Sequence, residues 1–92
     1  MMSETDIGTR RRRALWRATH RGYKEMDFLL GRFATETLDK MDAVEIGVFE
    51  RLIDTPDPQI EISLLRGESL GAPDLDELMA RLRRFHGMNE AG

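Results

Sequence analysis

The sequence predicts an all-α fold, a single compact five-helix bundle over residues 9–87. Apolar residues recur at spacings of three and four, which is the helical period, and no stretch alternates as a half-buried strand does. Capping residues, prolines and glycines divide the chain into five such segments. The connections between them are short, which favours helices packed closely around one core. Residues 1–8 and 88–92 are expected to be a flexible N-terminus and C-terminal tail.

The first two helices are predicted at residues 9–20 and 23–33, with Gly22 between them. Helix one is basic, and its apolar residues are Ala14, Leu15, Trp16 and Ala18. Winding helix two at about 100° per residue gives two faces. The inward face holds Gly22, Tyr23, Met26, Leu29, Leu30 and Phe33. The other face holds Arg21, Glu25, Phe28 and Arg32.

The third helix is predicted to begin with a capping box formed by Asp42 and Glu45. In this pattern the first carboxylate accepts from free backbone N–H groups and the second reaches back to the cap. The helix should run to about residue 54. Its expected core residues are Val44, Val48, Phe49, Leu52 and Ile53.

The fourth helix is predicted after Pro56, which breaks the third. Asp57 is expected to cap it, with Pro58 at the first helical position, where a missing N–H is tolerated. The helix should end near Arg66, with Gly67 as a left-handed stop.

The fifth helix is predicted to begin at a second capping box, formed by Asp74 and Glu77, and to stop at Gly87. Arginines lie in its last turns, where cations are favoured. Its apolar face is expected to carry Leu75, Leu78, Met79, Leu82 and Phe85.

Composition narrows the function classes. The 92 residues are 40% hydrophobic and 34% charged, as in one small globular domain. The absence of cysteine excludes disulfides, thiolate metal sites and thiol nucleophiles, and favours a reducing, cytoplasmic setting. A net charge of -3 disfavours nucleic acid as a partner. The first residues resemble no targeting segment and no apolar run is long enough to span a bilayer, so an unprocessed protein without membrane insertion is expected.

No catalytic, cofactor-binding or metal site is predicted. His20 and His86 lack the spacing of helical metal ligands, and the glycines form no phosphate-binding loop. Most carboxylate pairs fall at helix starts, where capping explains them. The arginine run at residues 10–13 leaves an alternative open, namely a small nucleic-acid-binding or protein-adaptor domain that uses helix one. A protein that acts by binding, without catalysis of its own, is therefore expected.

Gly22 interrupts an otherwise plausible helix. It either turns the chain between two helices with a positive φ, or allows another backbone to approach closely. Arg21 and Glu25, four residues apart, are compatible with an exposed ion pair. A partly exposed Phe28 beside these charges would invite a protein partner.

The segment ALWRATHRGYKEMDFLLGRF, residues 14–33, resembles the signature of the succinate dehydrogenase assembly factors that promote flavinylation. That signature is an Arg-Gly-x-x-Glu motif after a basic helix containing Trp. The segment FERLIDTPDP and a last helix rich in Leu and Arg also match, so the resemblance spans about residues 10–86. Two positions depart from it: many members have a basic residue where His20 stands, and an aromatic residue near Ser63.

The resemblance implies a five-helix, chaperone-like factor that is a monomer when free. Its expected partner is the flavoprotein subunit of succinate dehydrogenase, and also that of fumarate reductase. FAD would be attached covalently to that partner, with no cofactor bound directly by this chain. The motif residues Arg21, Gly22 and Glu25 match the family's partner-binding positions, and Asp27 matches an acidic position after them. Trp16, His20 and Phe28 complete the expected partner-binding set.

Overall fold

Five α-helices account for most of residues 4–88, the part of the chain that the computed structural model describes. They are α1 (Glu4–Thr19), α2 (Lys24–Thr37), α3 (Ala43–Ile53), α4 (Asp57–Arg66) and α5 (Pro73–Phe85). A 3-10 turn, Leu38–Lys40, follows α2, and no strand occurs within the described range. The predicted all-α class and helix number are confirmed.

The helical part of the chain begins earlier than predicted. Helix α1 begins at Glu4, five residues before the predicted start, so residues 4–8 belong to the helix. Ile7 and Met88 are partly buried against the core, although both were expected in flexible ends. Residues 1–3 and 89–92, which make up the rest of the predicted flexible ends, lie outside the described residues.

One apolar core joins all five helices. Helix α1 packs on α2 and α3, and α5 packs on α2, α3 and α4. The radius of gyration is 12.9 Å, close to the value of about 12 Å for a compact chain of this length. The largest buried side chains are Phe33, Phe49, Met26, Leu30, Met41, Ile46, Leu52, Ile60, Met79 and Leu82.

One predicted core assignment in α3 is wrong. Val44 is 76% exposed, whereas Ile46 is fully buried. Because α3 begins at Ala43, its inward face runs through positions 46, 49 and 52–53 at spacings of three and four, and Val44 lies off that face. Phe85, the last residue of α5, is 38% exposed, and its ring packs edge-on against the buried ring of Phe33 at a centroid distance of 5.4 Å, on the apolar face where it was predicted.

The first capping box is confirmed. The Glu45 N–H donates to Asp42 Oδ1 at 2.8 Å, and the Asp42 N–H donates to Glu45 Oε1 at 3.0 Å. The predicted left-handed stops are confirmed as well, with φ of 72° at Gly67 and 71° at Gly87.

The other two predicted caps are wrong. Helix α4 begins with Asp57 itself after Pro56, and α5 begins with Pro73 after Ala72. Both helices have a proline in their first turn, and in both the aspartate lies inside the helix. The side chain of each aspartate contacts an arginine that is distant in the sequence. Asp74 accepts from Arg51 at 2.6 Å, and this bond lowers the pKa of Asp74.

Helices α1 and α2 approach closely at Gly31. A Cβ atom placed there would lie 2.8 Å from Cγ2 of Thr19. Thr19 cannot easily turn away, because its hydroxyl donates to the carbonyls of Leu15 and Trp16 at 3.0 and 3.1 Å. The absence of a side chain at Gly31 therefore sets the spacing of the two helices that flank the Gly22 turn.

We expect Gly31→Ala to lower the melting temperature. Alanine favours a helix interior by about 1 kcal/mol over glycine, but overpacking typically costs about 1–3 kcal/mol. Thr19→Ser removes the obstructing methyl and keeps the hydroxyl, so Gly31→Ala should become stabilising in that background. Thermal unfolding followed by circular dichroism tests the cycle. A stabilising Gly31→Ala in the wild-type background would contradict the close packing.

Candidate functional site

The turn between α1 and α2 is formed by residues 20–23. Gly22 has a φ of +85°, a left-handed value that residues with a side chain rarely adopt. The first of the two explanations for this glycine, a turn between helices, is confirmed. A Cβ atom built on Gly22 would meet no atom within 4 Å, so the space above this backbone is open.

The Arg21 side chain points into the molecule. It is only 9% exposed and forms an ion pair with Asp57. Its Nη1 donates to the carbonyl of Ile53 and its Nη2 to that of Thr55, both at 2.8 Å. Arg21 therefore joins the α1–α2 turn to the segment between α3 and α4.

This geometry corrects the expected exposed face containing Arg21 and Glu25. Helix α2 starts only at Lys24, so helical winding does not apply to Arg21, and no ion pair between Arg21 and Glu25 is formed. Gly22 and Tyr23, assigned to the inward face, lie at the surface for the same reason. Met26, Leu30 and Phe33 are buried as predicted.

Asp27 also stabilises the turn, through hydrogen bonds to the backbone before and after Gly22. Its Oδ1 accepts from the backbone N–H of Arg21 at 2.6 Å, and its own N–H donates to the carbonyl of Tyr23 at 2.9 Å. The acidic residue after the motif thus acts within the chain, where it fixes the backbone on both sides of Gly22.

Three side chains of α2 form an exposed row beside the turn. Glu25 lies in its first turn, Phe28 is 55% exposed, and the Arg32 guanidinium lies 5.6 Å from the centre of the Phe28 ring. The ring of His86, after α5, lies 6.3 Å from that of Phe28. Phe28 is therefore held in place by a cation on one side and an aromatic ring on another, which suits an anchor residue.

Trp16 and His20 present a second aromatic surface at the end of α1. Trp16 is 61% exposed, and its ring stacks on that of His20 with centroids 4.2 Å apart. Nδ1 of His20 lies 2.8 Å from the Trp16 carbonyl oxygen. A shallow cleft that both residues line continues to Arg21 and Asp57. Both aromatic surfaces thus adjoin the turn.

Local sequence patterns do not reveal the roles of two further residues at this site. Asp57 was assigned a capping role, yet it is the acidic partner of Arg21. Glu61 was not assigned any role, yet it accepts from the hydroxyl of Tyr23 at 3.0 Å, and this bond raises the pKa of Tyr23. The two residues of each pair lie more than 35 positions apart in the sequence, so local sequence patterns cannot predict that they meet.

Two of the four arginines in the run at residues 10–13 contact distant parts of the chain. Arg10 forms an ion pair with Glu50 at 2.8 Å, which raises the pKa of Arg10. Arg11 donates to the carbonyls of Leu38 and Met41 at 3.0 and 2.7 Å. These contacts fix α1 against the segment that leads into α3, and they leave fewer cations for the nucleic-acid contact considered from the sequence.

Residues 4–88 contain neither a metal-binding cluster nor a membrane-spanning helix. No group of three or more His, Asp or Glu side chains there is arranged to hold a metal ion. Within the same range, no helix has the length and apolar character needed to cross a membrane. His86, a residue considered as a ligand, has Nε2 at 2.8 Å from the Leu29 carbonyl oxygen.

Fold and site together define a class of small all-helical proteins that present an ordered glycine turn, flanked by exposed aromatic and acidic side chains. The family described as "Flavinator of succinate dehydrogenase" matches residues 12–86 of the chain. Because this match covers most of the 92 residues and includes the whole turn, the chain belongs to that family.

A curated relative is similar to the chain in sequence. It is "FAD assembly factor SdhE" of Acetobacter pasteurianus, 39% identical over 59 residues. The match covers 64% of this chain and 54% of the relative, so it spans about half the relative's length. No solved structure matches the chain.

We expect Arg21→Ala to destabilise the fold by about 3 kcal/mol, since it leaves a partly buried carboxylate and two carbonyls without their donor. Arg21→Lys should recover little, because one ammonium cannot reproduce the forked geometry. Denaturant unfolding measures both.

Arg17→Ala is the control for Arg21→Ala. It removes an ion pair with Asp54 in which both side chains are largely exposed, so it should cost less than about 1 kcal/mol. Equal effects of Arg17→Ala and Arg21→Ala would show that the buried network adds nothing to stability.

Proposed function

We propose that this chain binds the flavoprotein subunit of succinate dehydrogenase and promotes the covalent attachment of FAD to a histidine of that subunit. The observation that carries the proposal is the ordered, open Gly22 turn inside a chain that belongs to the flavinator family. The name of the curated relative supports the same function.

The working surface in this proposal, called the turn surface, consists of Gly22, Glu25, Phe28, Trp16 and His20. All five residues are exposed and lie on or beside one turn. Gly22 permits close approach of a partner backbone, since nothing in the chain itself occupies the space above it. Phe28 and Trp16 supply large apolar rings, the kind of side chain that dominates binding energy at interfaces.

Arg21 and Asp27 have a supporting role in this proposal. They contact other parts of the chain and hold the backbone around Gly22 in one conformation. A turn that is ordered before binding loses less conformational entropy when the partner docks. Their substitution would therefore weaken partner binding through the shape of the turn.

The proposed mechanism requires no catalytic group from this chain. Docking favours a conformation of the flavoprotein in which its FAD and its acceptor histidine are aligned. A factor with greater affinity for the aligned state raises the population of that state. Alignment alone lowers the barrier of the attachment step, which the flavin and the flavoprotein carry out. In this proposal FAD is bound by the partner. We also propose that the free factor is a monomer.

The flavoprotein subunit of fumarate reductase is a second proposed client. The direct test is expression of each flavoprotein with and without this chain, followed by detection of covalent flavin fluorescence in a denaturing gel. A signal that rises with the chain supports the function for that client. Equal signal in both lanes overturns it for that client.

We expect Gly22→Arg to abolish the rise in covalent flavin while helix content stays near wild type. A side chain at Gly22 would occupy the space in which the partner is proposed to bind. It would also strain the backbone, because φ is +85° at this position. The fluorescence assay measures the first effect, and circular dichroism measures the second.

Gly71→Arg is the matched control. Gly71 has a φ of +93° and an equally open Cβ position, but it lies in the loop before α5. The control therefore carries the same backbone strain away from the turn surface. If Gly71→Arg lost as much flavinylation as Gly22→Arg, strain and not docking would explain the loss.

We expect Glu25→Ala to reduce flavinylation about tenfold or more with little change in melting temperature, because its carboxylate is exposed and acts on the partner. Glu36→Ala, at an exposed position near the other end of α2, should leave flavinylation unchanged. A large fall in the melting temperature of Glu25→Ala would instead show that Glu25 stabilises the fold.

A further inference from the structure

A groove runs between α2 and α4, next to the turn surface. It has a volume of about 300 Å³. The residues of its lining that matter here are Tyr23, Glu25, Leu29, Glu61, Leu65 and Met88. Of these, only Glu25 belongs to the turn surface, so the groove extends the exposed area towards α4.

The floor of this α2–α4 groove is apolar. Leu65, in the last turn of α4, lines the groove and is 67% exposed. Leu29 and Met88 lie beside it, each only partly covered by the core. An apolar floor of this kind gains free energy when another apolar side chain covers it.

The rim of the groove is acidic. The Tyr23 hydroxyl donates to Glu61 at 3.0 Å and also interacts with Glu25, so two carboxylates converge on one phenol. These negative charges raise the pKa of Tyr23. Among residues 4–88, neither Glu25 nor Glu61 forms an ion pair, so the rim carries two carboxylates that a cation of the partner can contact.

We propose that the α2–α4 groove receives a segment of the flavoprotein partner in which an apolar side chain lies next to a lysine or arginine. The apolar side chain covers Leu65 and Met88, and the cation binds between Glu25 and Glu61. Charge complementarity selects this occupant, since a neutral or acidic segment would leave both carboxylates without a counter-charge. The inference rests on the proposed function and names a second contact area for the same partner.

Two other occupants fit the groove less well. The chain's own residues 89–92 are Asn, Glu, Ala and Gly, which include a carboxylate and no cation. A second copy could present Trp16 beside the exposed Arg12 and Arg13 of α1, but two copies with the same net charge of -3 repel each other, which disfavours self-association.

The test measures the affinity of the purified chain for the purified flavoprotein by isothermal titration calorimetry. Leu65→Ser removes the apolar contact, and Glu61→Lys reverses the rim charge. Each is expected to raise Kd about tenfold or more. Glu61→Gln should reduce the salt dependence of binding, because it removes one of the two charges without adding another.

Matched controls separate the groove from general surface effects. Val44→Ser removes an apolar side chain that is similarly exposed, on α3, and Glu36→Lys reverses an exposed charge on α2 away from the groove. Both should stay within about twofold of the wild-type Kd, since isolated surface changes contribute little. Melting temperatures of all five variants establish that each is folded.

The possible results are distinct. If the wild-type chain binds and flavinylates its client but the groove variants behave as their controls do, the groove inference is wrong and the proposed function stands. If the wild-type chain neither binds nor flavinylates, the proposed function fails and the groove inference fails with it. If sedimentation shows a dimer that Leu65→Ser dissociates, the occupant is a second copy and the inference is overturned.

Discussion

The Arg21 guanidinium holds together the two connections on which the shape of the site depends. It joins the α1–α2 turn to Asp57 and to the carbonyls of Ile53 and Thr55, which lie where α3 ends and α4 begins. A planar fork with five donors can satisfy several acceptors in one fixed arrangement. Because those acceptors lie on a different part of the chain, Gly22 keeps its position only when the whole bundle is folded.

The Arg-Gly-x-x-Glu motif therefore contains two kinds of residue. Arg21 acts inside the molecule, while Gly22 and Glu25 face solvent. Asp27 belongs with Arg21, since it accepts from the Arg21 N–H. A short motif can in this way specify both a surface and the internal contacts that keep the surface ordered. In the proposed function, substitutions in the two groups would therefore act through different physical causes.

Several charged residues of this small domain join its helices to one another. The basic helix α1 is fixed by Glu50, Asp54 and two backbone carbonyls, and Arg51 of α3 pairs with Asp74 of α5. A chain of this size buries only a limited apolar core, so such contacts add to the packing that orients its helices. The carboxylates of the α2–α4 groove differ from these, since they converge on a tyrosine and not on a cation.

The sequence by itself determined the all-α class, the five helices, the Asp42 cap and the glycine stops, because spacings of three and four and capping patterns are local properties. It also identified Glu25 and Phe28 as exposed. Only the tertiary structure decided that Arg21 points inward, that Asp57 is its partner and that Glu61 meets Tyr23. These contacts join residues more than 30 positions apart, and their geometry depends on how the helices pack, which no local pattern specifies.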